Sequence, residues 1–263
     1  MMEELFSKRR QIRAAWDQQK LPSTELVKDL LKRSLNISPS KQNLYPFKIH
    51  VFGPHNPEEK RIVGQICNLF KTGSVNHWDD EIKDGDFKSY HGEFNSKDLM
   101  LDDKGNDYRL APWVLVFEQR LAKPNNFVLE HSKLHGDKPE DRFTQVNPDR
   151  FRDICNTKLT CIEIGMFIQS LAGLCLENKL GISYIRSFPE WYWNKFTNSY
   201  VKDVNTIGMN WSDLPEISET PLMVCQLGYV ADVEDYLQSN SVNPELHHWE
   251  NKPDLNEIIN FKT

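Results

Sequence analysis

Hydrophobic and polar positions along this chain fall into a few strongly patterned segments separated by long polar ones. The most apolar stretch runs from Thr160 to Phe188. In its first two thirds, Ile162, Ile164, Met166, Phe167, Ile168, Leu171, Leu174, Cys175 and Leu176 would occupy most of a helix circumference. Glu163, Ser170 and Glu177, seven residues apart, leave only a narrow polar line, with Gln169 beside it. A helix that is apolar nearly all round is expected to be buried on nearly all sides. Gly165, Ala172 and Gly173 leave room for a second backbone to approach, although a helical Gly costs about 1 kcal/mol relative to Ala. Asn178 to Gly181 supply a stop, and Ile182 to Ile185 reads as a short buried strand.

Other elements follow from the same patterns. Residues 3–19 read as a first helix with a basic cluster, Lys8, Arg9, Arg10 and Arg13. Ser23 or Thr24 caps a second helix whose apolar face is Leu26, Val27, Leu30 and Leu31. The turn formers of residues 36–46 predict a loop. Residues 47–52 alternate as a strand, with Phe47, Ile49 and Val51 on one face. A helix is expected over residues 58–71, after Pro57. Residues 111–118 form the most apolar strand pattern, and residues 221–229 form another. Residues 73–107 and 119–147 are polar and weakly periodic, and read as insertions in one domain spanning residues 1–263. Helical pattern resumes near Asp149. The aromatic-rich stretch after Phe188 fits either a helix or a partner-contacting loop.

Charge and composition narrow the function. A net charge of −6 argues against a general nucleic-acid or anionic-membrane binder. No apolar run reads as approaching a membrane span, and the N-terminus lacks a signal-type apolar segment. A cytoplasmic protein is expected. The five cysteines form no CxxC pair, which suggests reduced thiols. The histidines read as offering no chelating spacing, so no metal is expected. Walker, GxGxxG, GxSxG and kinase patterns are absent, and no catalytic side-chain constellation is expected.

Two segments offer binding chemistry. Arg9 and Arg13, four apart, would share a helix face and could grip a phosphate; a solvated basic patch fits equally. Ser38 to Asn43, followed by Leu44-Tyr45-Pro46-Phe47, offers amides and an Asn side chain to a flat heterocycle. It also fits a plain helix-to-strand connection.

Taken in order, RRQIR, SPSKQNLYPF, APWVLVF, GMFIQSLAGLCLENKLGISYIRSF and PLMVCQLGY resemble the FMN-dependent nitroreductase family. The resemblance implies an α+β fold, with an antiparallel sheet flanked by helices, in an intertwined homodimer with FMN at the interface. It implies that Arg9, Gln11, Arg13 and Lys252 hold the phosphate and ribityl chain. Pro39, Ser40 and Asn43 would lie against the flavin ring, and backbone groups of Ile185, Arg186 and Ser187 would approach its edge. NADH or NADPH would reduce the flavin at N5, and a small-molecule electron acceptor (nitroaromatic, quinone or enone) would then reoxidise it in ping-pong fashion. No catalytic side chain is implied, since the cofactor carries the chemistry. The 73–107 segment would cover the acceptor side, or be a surface insertion without a role. Departures from the family are Gln11 for Ser, Tyr45 and Phe47 for Gln and Trp, and Arg186-Ser187 where an acidic or small residue precedes Gly. They leave open a second reading, a non-catalytic sensor or interaction module.

Overall fold

Strand Trp113–Gln119 (β4) is buried at every position, and the chain is layered around it. In the computed structural model, residues 16–72, 88–89, 92–93, 110–185, 214–217 and 221–230 are described. Four antiparallel strands form one sheet in the order β1 (Phe47–Phe52), β4, β6 (Pro221–Tyr229), β5 (Leu180–Ile185). A two-residue pairing of β2 (Lys88–Ser89) with β3 (Gly92–Glu93) stands apart and is the described part of the 73–107 segment. Helices α1 (Thr24–Ile37), α2 (Pro57–Thr72), α3 (Asn126–His135), α4 (Pro139–Arg142) and α5 (Ile154–Glu177), with short 3-10 turns at Lys41–Asn43, Thr144–Val146 and Pro148–Arg150, complete the described elements.

Both faces of the sheet are covered, which is why β4 is an apolar run rather than an alternating strand. On one face, Phe47, Trp113, Leu115, Phe117, Ile182, Cys225 and Leu227 meet Ile164, Phe167, Ile168, Leu171 and Ala172 of α5, with Val27 and Leu30 of α1. The rings of Phe47, Phe117 and Phe167 close a triangle with centroids 5.7–6.1 Å apart. Burying one such side chain contributes about 1.5–3 kcal/mol. On the other face, Phe52, Val114, Val116, Ile185 and Val224 meet Val63, Ile66 and Cys67 of α2. The expected alternation of β1 holds, with Phe47, Ile49 and Val51 towards α5.

Helix α1 begins as its sequence predicts, with Ser23 Oγ accepting from Leu26 N. It runs antiparallel to α5: Arg33 pairs with Glu177 at one end, and the loop after α1 meets Glu163 nearer the other.

Four expectations change. Residues 16–19, expected at the end of a first helix, are not helical, because Trp16 forms an isolated bridge to Val230 and Asp17 N donates to Tyr229 O; residues 3–15 of that expected helix lie outside the described residues. The Trp16 ring fills the second core beside Gly228, where a Cβ would meet Pro112 at 2.6 Å and Trp16 at 3.0 Å. Residues 119–147, read as a polar excursion, carry helix α3, capped by Asn125 and closed by Gly136 at φ +70°. A small core of Leu44, Ala122, Val128, Phe143 and Val146 ties this segment to the rest. Helix α5 is long and apolar enough to cross a membrane by length and composition, contrary to the expectation that no stretch approaches a span. Its packing against the sheet and α1 is that of a core helix.

Finally, α5 is not buried on nearly all sides in the single chain. Ile162 is 59% exposed, and nothing lies within 4 Å of where a Cβ would stand at Gly165. Gln169 is also exposed and Met166 half-buried. Glu163, the first residue of the narrow polar line, is buried.

Candidate functional site

Strand registers bring several segments to one end of the sheet. Phe47 pairs with Gln119, Glu118 with Pro221, and Ile185 with Val224. The loop entering β1, the residues leaving β4 and the last residue of β5, Ile185, therefore share that end. Along the sheet, however, β1 and β5 are the two edges, about 14 Å apart at three strand spacings.

The loop entering β1 has an unusual backbone. Gln42 (φ +52°), Asn43 (φ +54°) and Tyr45 (φ +45°) all occupy the left-handed region. For Gln and Tyr each such conformation costs roughly 1–2 kcal/mol, and for Asn less, and it persists where the surroundings over-determine it. Three side chains supply that determination. The carboxylate of Glu163, from α5, accepts from Ser40 Oγ at 2.6 Å and from Lys41 N at 3.2 Å. Arg120, just past β4, donates through Nε to the carbonyls of Tyr45 (2.8 Å) and Phe47 (3.0 Å) and through Nη2 to that of Leu44 (2.9 Å). Burial lowers the Arg120 pKa from its usual value, but a guanidinium stays charged throughout the working pH range. Tyr45 donates its hydroxyl to the carbonyls of Leu35 (2.8 Å) and Ser38 (3.0 Å), tying the loop to the end of α1. Asn125, the cap of α3, is a fourth bracing side chain, donating from Nδ2 to Gln42 O at 2.7 Å.

Of the residues singled out in the sequence, Pro39 and Asn43 are exposed on this loop and Ser40 is half-buried within it. The Ser40 hydroxyl donates to Glu163 and accepts from Tyr45 N at 2.8 Å, so its proton is already engaged. Ile185 is a core residue, 2% exposed, whose side chain packs in the second core; only its backbone remains for a ligand. Arg9, Gln11, Arg13, Arg186, Ser187 and Lys252 lie outside the described residues. Tyr45, a departure from the family pattern, acquires a job in bracing the loop.

Glu163, Arg120 and Asn125 are the residues that sequence reasoning missed. A Glu on the narrow polar line of a largely apolar helical run and an Arg directly after a buried strand were the available signals. The histidine reading also needs correction: His131-Ser132-Lys133-Leu134-His135 has HxxxH spacing, and the two rings stand 4.6 Å apart. Among the described residues, no group of three or more His, Cys, Asp or Glu could hold a metal ion.

No protein-family model matches this sequence, and no curated protein does. Among solved structures, a nitroreductase family protein from Streptococcus pneumoniae is similar at a TM-score of 0.51 and 13% identity, covering 100% of both chains. A protein provisionally assigned as an NAD(P)H:FMN oxidoreductase, from Staphylococcus epidermidis, gives a TM-score of 0.51 at 12% identity. That match covers 100% of this chain and 96% of the other. At such identities the likeness speaks for architecture alone. The chain has the nitroreductase fold, an α+β arrangement of an antiparallel sheet between helical layers.

Proposed function

We propose that this protein is an FMN-dependent oxidoreductase that takes electrons from NADH or NADPH and delivers them to a small organic acceptor. The observation that carries the reading is the loop from Pro39 to Tyr45. A backbone with three strained residues, braced from α1, α3, α5 and the end of β4, is costly unless its shape is used. It occurs at the position where the family resembled by this sequence rests its flavin ring. The fit to FMN is chemical as well as positional. Pro39 and Asn43 are exposed, offering an apolar ring and an amide, while Arg9 and Arg13 in the sequence suit a phosphate. When bound, FMN would accept a hydride from the nicotinamide and pass it to the acceptor, so the side chains are left to bind and orient. Lys252, Gln11 and the backbone at Arg186 and Ser187 complete the proposed contacts.

A homodimer belongs to the same reading. The loop and the Ile185 end lie at opposite edges of one sheet, too far apart to share one flavin ring simply. Helix α5 also leaves Ile162 and Gly165 uncovered. A second copy over that face would bury it and could pair the loop of one subunit with the β5 end of the other. The name of the Staphylococcus epidermidis protein, with its matching fold, supports the choice of nicotinamide and FMN.

Absorption spectroscopy tests the proposal. The purified protein, given FMN, should show bound-flavin bands that bleach anaerobically with NADH or NADPH and return on adding a quinone or nitroaromatic. Failure to bind FMN overturns it; bound FMN that neither nicotinamide reduces overturns the enzymatic part.

A further inference from the structure

We infer that Glu163 is a positioning residue: its buried carboxylate holds the Pro39–Tyr45 loop in the shape that a flat cofactor rests on. The cofactor in this statement is the flavin proposed above, and the inference rests on that reading for its ligand.

Glu163 is 1% exposed, on a helix whose neighbouring buried positions are Ile164, Phe167 and Thr160. A carboxylate in such surroundings is retained only where its oxygens are used. Both are used on one target. Ser40 occupies the N-cap position of the short 3-10 turn Lys41–Asn43, yet its own side chain makes no capping bond. The carboxylate supplies the cap instead, from 122 residues away, by accepting from Lys41 N. Its other oxygen takes the Ser40 hydroxyl proton at 2.6 Å, within the range of a short charge-assisted bond.

The chain of bonds continues into the strained segment. Ser40 Oγ accepts from Tyr45 N, and Tyr45 is one of the three residues at positive φ. Glu163, Ser40 and Tyr45 thus pin the loop at its beginning and its end, while Gln42 and Asn43 arch between them. Removing the carboxylate would leave the Ser40 and Lys41 donors competing for other partners, and the arch could relax to ordinary negative φ. Glu163 touches no ligand in this arrangement. It acts through Ser40 and the Lys41 amide.

The test uses full-length Glu163→Gln, Ser40→Ala and Ser40→Thr variants alongside the wild type. Gln keeps the shape of Glu but places an NH2 group, which cannot accept, where one of the two carboxylate oxygens meets its donor. Three readouts are taken: trypsin cleavage after the exposed Lys41, FMN affinity, and visible circular dichroism of bound FMN. Cleavage at Lys41 reports local opening without reference to any ligand. In Glu163→Gln and Ser40→Ala, cleavage after Lys41 should be about five-fold faster or more, because local opening becomes easier. FMN should bind about ten-fold more weakly, with an altered dichroism. Ser40→Thr, which keeps the hydroxyl, should restore all three. If Glu163→Gln fails to fold, Ser40→Ala and its Thr rescue decide. Folded variants that are cut and bind FMN as the wild type does overturn the inference; so does faster cutting with unchanged FMN affinity and dichroism. A wild type that binds no FMN overturns the flavin reading, and the cleavage rates then decide whether Glu163 holds the loop.

Discussion

Arg120 and Tyr45, 75 residues apart, are joined by a bond from the guanidinium Nε to the Tyr45 carbonyl at 2.8 Å. The same guanidinium reaches the carbonyls of Leu44 and Phe47, so one side chain at the end of the central strand holds three carbonyls between Leu44 and Phe47, and its own backbone N holds the fourth, that of Pro46. No backbone ladder can do this for a loop with left-handed residues, since its carbonyls turn away from regular partners. Replacing Arg120 by Ala should lower stability by about 2–3 kcal/mol, the loss expected for hydrogen bonds from a charged donor. Lys should recover little, because it lacks the planar fork. Urea unfolding of both variants measures this, and a loss below about 0.5 kcal/mol would mean that the carbonyls find water just as well.

Arg13→Ala should weaken FMN binding by about 1.5–3 kcal/mol, roughly ten- to a hundred-fold. The prediction comes from the four-residue spacing of Arg9 and Arg13 and their position in the resembled motif. Titration of apo-protein with FMN, followed by flavin fluorescence, reads it directly. An unchanged dissociation constant removes the pair from the phosphate site.

Assembly is best probed at Gly165. Ala172, which the sequence suggests as a close-approach position, is fully buried within the subunit's own core, so a charge there would unfold the chain. A Cβ at Gly165 meets nothing within 4 Å in the single chain. Gly165→Arg should therefore leave the subunit folded, by circular dichroism, while sedimentation shifts from dimer to monomer. An unchanged sedimentation coefficient would place the interface elsewhere.

Thiol reactivity checks the core. Burial pushes the Cys175 thiol up to about 12, and burial with the neighbouring Cys175 pushes Cys225 up as well. At pH 8 a thiol with a pKa near 12 is ionised to roughly one part in ten thousand, and only the thiolate attacks. Both cysteines should resist alkylation in the native protein and react in denaturant, whereas the exposed Cys155 should react at once. Mass-spectrometric mapping after a short iodoacetamide pulse distinguishes them, and rapid labelling of Cys225 in the native protein would contradict the packing.

The sequence by itself determined the elements whose burial is periodic. The Ser23 cap of α1, the alternation of Phe47, Ile49 and Val51, the uninterrupted run of β4 and the apolar length of α5 each carry their environment in their spacing. It also carried the order of motifs that resembles the nitroreductase family. Tertiary structure decided what spacing cannot express. Glu163 falls on a polar line by period, and only the arrival of the Ser40 loop from across the fold gives its buried carboxylate two donors. Arg120 reads as an ordinary charge after a strand until β1 is paired beside β4 and the Tyr45 carbonyl comes within reach. The open face of α5 was likewise invisible, because an apolar residue such as Ile162 looks the same whether its own subunit or another covers it. Periodicity records which side of an element is apolar, whereas a hydrogen bond or an interface depends on which distant segment the fold brings opposite.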